Sequence, residues 1–166
     1  MTKNSVDISE KLKQSINYNQ VFELVRTSVQ RTLGTRRAGL SLILAELPNN
    51  IGAYHVMGSN NIVMNKTILD LVKRQARSNE DVNSYIFTIL AHEYLHSFGF
   101  TDEADVKKKV YQVCAQNLGE SHQTTKVATR RFEELYPDLK YLGPGKAGNE
   151  YVLVKEFDAA DTPYFS

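Results

Sequence analysis

Apolar positions along the chain follow two periodicities. Phe22, Val25, Val29 and Leu33 recur at helical spacing and predict a helix over residues 20–33, with Gly34 as its stop. Residues 1–18 are polar and predict a flexible or weakly helical segment. Between residues 40 and 64 the apolar positions come instead in short runs. Strands are predicted over 40–47, 51–57 and 62–64, separated by Pro48-Asn49-Asn50 and Gly58-Ser59-Asn60-Asn61. Three strands joined by tight turns predict a small antiparallel meander.

The remainder reads as helical to Pro137. Asn65 can cap a helix through residue 77, and Asp81 a helix from 81 to 98 that Gly99 stops. The second of these has a wide apolar face built from Val82, Tyr85, Ile86, Ile89 and Leu90. Further helices are predicted over 102–118 and 121–135. Beyond Pro137, Gly143-Pro144-Gly145 and Gly148 mark an irregular tail with one strand-like run, Tyr151-Val152-Leu153-Val154. The expected fold class is α+β, a three-stranded sheet packed with several helices. The expected organisation is an N-terminal segment over 1–18, one domain over 19–136 and a C-terminal tail over 137–166.

Composition narrows the function. The 166 residues are 42% hydrophobic and 23% charged, which suits one globular domain. A net charge of +1 gives no electrostatic footprint of a nucleic-acid binder. No run approaches the roughly 18 apolar residues of a membrane span. The N-terminal residues carry no signal-peptide pattern, and a single cysteine, Cys114, allows no internal disulfide. A cytoplasmic protein with Cys114 as a buried small hydrophobe is expected.

The chemistry lies in His92-Glu93-Tyr94-Leu95-His96. Side chains at i and i+4 share a helix face, so two imidazoles placed this way can ligate one Zn²⁺. Glu93 is rotated about 100° from His92 and stands beside the metal, where a general base must sit. With four histidines in the chain, a shuffled sequence would show this pattern with a probability of roughly 0.006. A catalytic zinc needs a third protein ligand. Gly99 lets the chain turn back, so Asp102 can reach the metal, unless Asp102 is a helix N-cap. His122 is the alternative, from a helix packing across the first, with Glu103 and Glu120 as further candidates.

The segment Ala91-His92-Glu93-Tyr94-Leu95-His96-Ser97-Phe98-Gly99-Phe100-Thr101-Asp102-Glu103 resembles the minigluzincin family of small soluble zinc metallopeptidases. The flanking stretches Gly39-Leu40-Ser41-Leu42, Asn60-Asn61-Ile62-Val63-Met64-Asn65 and Gly119-Glu120-Ser121-His122 look similar too. The resemblance covers roughly residues 20–135. It implies a compact zincin-like domain, zinc as cofactor, a peptide or protein substrate and Glu93 as base. It implies His122 as third ligand, and latency held by the C-terminal segment.

The expected function is therefore that of a zinc metalloendopeptidase. An extended substrate would add to the edge of the 51–57 strand. Tyr54 and His55 are candidate oxyanion donors there. The rival reading is a proteolytically silent zinc protein that binds a partner. A metal-dependent endoribonuclease of the rRNA-maturation type is a poorer fit: Glu93 replaces its glycine, and no histidine directly follows Asp102.

Overall fold

Helix α4 (Asn79–Ser97) runs through the middle of the molecule, and thirteen of its nineteen residues are buried. The structure, a computed structural model, describes residues 3–155 and 157. Around α4 lie helices α1 (Lys3–Gln14), α2 (Tyr18–Leu33), α3 (Lys66–Gln75), α5 (Glu103–Leu118), α6 (Gln123–Thr129) and α7 (Phe132–Leu135). A four-stranded sheet is built from β1 (Ser41–Ala45), β2 (Ala53–His55), β3 (Asn61–Asn65) and β4 (Tyr151–Leu153).

The helix termini follow local chemistry. Asn17 accepts a hydrogen bond from the Gln20 amide and starts α2; Gly34, at φ 74°, ends it. Asn65 accepts from the Thr67 and Ile68 amides and starts α3, as expected. The cap of α4 is Ser78, whose hydroxyl accepts from the Asp81 amide. Asp81, expected in that role, instead accepts from the Arg77 amide, so the pair divides the free donors of one helix end.

Three expectations are corrected. The N-terminal segment is not loose: Ile8 and Leu12, one turn apart on α1, are 1% and 0% exposed. The Asn83 amide on α4 donates to the Leu12 and Ser15 carbonyls, which satisfies the free end of α1. Val6, Ile8 and Leu12 are the apolar residues of α1, too sparse a stripe to show in a sequence window.

The sheet is mixed, in the order β2-β3-β1-β4. The β2–β3 hairpin is antiparallel, as expected, but β1 pairs with β3 in parallel, Leu42 opposite Ile62. The chain leaving β1 passes over to the far side of β3 before returning. This leaves β2 as a terminal strand lying against α4.

The single helix expected over 121–135 is broken at Arg130, which is extended at φ −104°, ψ 155°. The Thr129 hydroxyl donates back to the Thr125 and Lys126 carbonyls, competing with the backbone donors that would continue the helix.

The strand-like run near the C-terminus is real and forms β4. It pairs antiparallel with β1, on the sheet edge away from β2, so it extends the sheet. Phe157 is 3% exposed and stacks on Phe22 at 4.4 Å. Residues 137–157 thus contribute to the core and not to the edge where a substrate was expected. Glu156, Asp158, Asp161, Tyr164 and Phe165, in the C-terminal segment for which the resemblance implies latency, lie outside the described residues.

Leu12→Ala and Phe157→Ala should each lower the unfolding free energy by about 2–5 kcal/mol, the cost of a core cavity. Denaturant titration checks this; a loose terminus or tail would give changes below about 0.5 kcal/mol.

Candidate metal centre

His92 and His96 occupy the last two turns of α4, with their Nε2 atoms 3.2 Å apart. Gly99, at φ 96°, reverses the chain after the helix. The reversal brings the Phe100 carbonyl within 2.7 Å of His96 Nδ1 and starts α5 beside the end of α4. Glu103, in the first turn of α5, then reaches back. Its Oε1 lies 2.7 Å from His96 Nε2 and its Oε2 lies 2.9 Å from His92 Nε2. These three side chains are close enough to bind one metal ion.

The donor set fits a cation. A carbonyl only accepts, so His96 Nδ1 carries a proton and donates it to Phe100. In the neutral ring Nε2 then presents a lone pair, aimed at a carboxylate oxygen and at the other imidazole. Lone pairs converging in this way need a positive charge between them, from a metal ion or an added proton. The 3.2 Å Nε2–Nε2 separation is close to the roughly 3.3 Å edge of a tetrahedron with metal–nitrogen bonds of about 2.0–2.1 Å. The Phe100 contact also fixes the ring's orientation, as outer-shell partners of metal-bound histidines do. The Glu103 side chain is 64% exposed and free to adjust its approach.

Burial lowers the His92 pKa; Glu103 opposes this, and His96 and Lys107 add to it. Glu103 is pushed up by desolvation, but the two imidazoles outweigh that and hold it below the ordinary range. Glu93 is 4% exposed, and burial raises its carboxyl to about 7 despite the nearby His96. A carboxyl so placed is neutral below neutrality unless a cation sits beside it.

The other expected ligands are elsewhere. Asp102 is the N-cap of α5 and accepts from the Ala104 amide. The turn and reach expected of Asp102 is made one residue later, by Glu103. Aspartate caps a helix well and glutamate does not, so the longer side chain is the one left free. His122 is the N-cap of α6 and stands apart from the cluster. Its Nδ1 accepts from the Thr124 amide. Its pKa is lowered by burial, and the carboxylate that opposes this is Glu80, in the first turn of α4. His92 lies twelve residues further along that helix, about 18 Å away. Among the described residues it is Glu103, and not His122, that the structure brings together with His92 and His96. Tyr54 and His55 do not line the space above the histidines, and the His55 Nε2 is engaged by the Ser59 carbonyl at 2.9 Å.

A cleft of about 420 Å³ opens over His92, Glu93 and Glu103. One wall is the β2 side, through Gly52 and Ala53; the other is formed by α5, α6 and the break after α6. No family model, curated protein or solved structure matches the chain.

Two outcomes follow from this geometry. Glu103→Gln should weaken binding of Zn²⁺ or Co²⁺ at least about tenfold in chelator competition, with His122→Ala changing it less than about twofold. The second concerns protein stripped of metal. Unfolding exposes Glu93 to its ordinary pKa of 4.5, while the folded protein holds the proton up to about 7. The folded state then binds more protons, so stability falls as pH rises across that window, by roughly 3 kcal/mol, and is level above it. Glu93→Gln removes this loss. The variant should match wild type below the window and exceed it at pH 8 in denaturant unfolding.

Proposed function

We propose that the protein is a zinc-dependent peptidase, with His92, His96 and Glu103 as metal ligands and Glu93 as general base. The observation that carries this reading is a buried carboxyl standing beside a cluster of two imidazoles and a second carboxylate, at the floor of an open cleft. A zinc ion held there would supply Lewis acidity toward water and toward a peptide carbonyl. Glu93 is adjacent to a ligand but off the ligand line, the position from which a carboxylate can take a proton from water and return it to the leaving amine. A neighbouring cation would favour its ionised form, and its raised pKa suits proton transfer near neutrality. Terminal strand β2, against the cleft, offers an edge for an extended peptide backbone.

Purified protein should hold about one zinc per chain, and His96→Ala should lose it. Glu93→Gln should keep the zinc and lose hydrolysis of a peptide library by at least about 100-fold. Zinc-loaded wild type without turnover on any peptide or protein would sink the peptidase reading and favour a metal-binding module.

A further inference from the structure

The wall of the cleft opposite β2 carries an excess of cations. Glu103, Lys107 and Val110 fall at i, i+4 and i+7 on α5, so one stripe of that helix faces the cleft from the metal cluster outward. Lys107 is exposed and one turn from Glu103, near enough for its charge to act on His92. Arg130 and Arg131 line the same cleft from the break between α6 and α7. At this break Arg130 is extended, at φ −104° and ψ 155°, and both arginines border the cleft. Both arginines are exposed, and neither they nor Lys107 makes an ion pair among the described residues. The carboxylates of this cleft lie at the metal cluster, apart from Glu133 on α7. Three free cations beside a peptide-sized groove match one ligand chemistry.

We infer that this wall selects an acidic peptide: Lys107, Arg130 and Arg131 receive aspartate or glutamate side chains that flank the bond held over His92, Glu93 and Glu103. The inference rests on the peptidase reading for the word substrate, but recognition of acidic peptide by the wall can be measured without turnover. Arginine guanidinium groups bind carboxylates in a bidentate fork, and exposed pairs of this kind act through modest Coulomb attraction that salt screens.

The test uses full-length, zinc-loaded protein and matched fluorogenic peptides, with Asp/Glu, Asn/Gln or Lys near the scissile position. Acidic peptides should have a kcat/KM roughly three- to tenfold above their amide counterparts at low salt, the advantage shrinking as salt rises. The double variant Arg130→Gln/Arg131→Gln should bring that ratio close to one. Arg130→Glu/Arg131→Glu should invert it in favour of lysine peptides, a gain that loss of folding cannot imitate. Anisotropy of the same peptides on zinc-loaded Glu93→Gln reads binding alone. Arginine-dependent binding of acidic peptide with no cleavage by wild type would overturn the peptidase reading and leave the recognition intact. Cleavage with no acidic preference and no inversion would overturn the recognition and leave the peptidase reading intact. An oligoribonucleotide that binds as tightly as the acidic peptide and displaces it would overturn the peptide as ligand.

Discussion

Helix α4 is enclosed by α1, α2, α5 and α6 and by strand β2, so each polar group it buries needs a partner inside the protein. Most find one from a neighbour or from the helix itself. Asn83 closes the end of α1, the Thr88 hydroxyl donates to the Ser84 carbonyl, and the Tyr94 hydroxyl exchanges hydrogen bonds with the Arg37 backbone. The Arg37 guanidinium in turn donates to the Ser97 carbonyl and to Asn60, tying the end of α4 to the turn before β3. The Ser84 hydroxyl is buried without a partner among the described residues, and the titratable groups left facing one another are those of the histidine motif. An enclosed carboxyl and two facing imidazoles are destabilised by the burial that the rest of the helix exploits, and a cation is the group that relieves all of them together.

Where α4 stops decides whether that relief is possible. Gly99 ends the helix three residues after His96 and turns the chain back at once. The same turn delivers the Phe100 carbonyl to His96 Nδ1 and Glu103 to both Nε2 atoms. Ligand orientation and helix termination are thus one event. An extra residue before Glu103 would rotate its side chain about 100° around α5 and away from the cluster.

The elements with dense local signals were readable in the chain. The stripe of Phe22, Val25, Val29 and Leu33 gave α2, Asn65 gave the start of α3, and the His92/His96 spacing gave the floor of the site. Four things were not readable, each for a physical reason. The parallel pairing of β1 with β3 depends on where a crossover passes, which strand patterns do not encode. The role of Glu103 required knowing that Asp102 is consumed as a cap. Helix α1 is held by Asn83, some seventy residues distant, and its buried side chains Ile8 and Leu12 are too few to mark it in the sequence. The break at Arg130 was hidden because Thr129 competes for carbonyls without the mark of proline or glycine.

The stacking of Phe157 on Phe22 has a bearing on the order in which the molecule can be made. Phe22 also meets Tyr94 edge to face at 5.3 Å, so one ring on α2 joins helix α4 to the last described residue of the chain. During synthesis from the N-terminus, β1 waits for β4, and Phe22 and Tyr94 share a gap until residue 157 has emerged. His92, His96 and Glu103 are all synthesised well before then, on two helices whose surroundings are unfinished. The nascent chain therefore presents these three side chains before its core is closed.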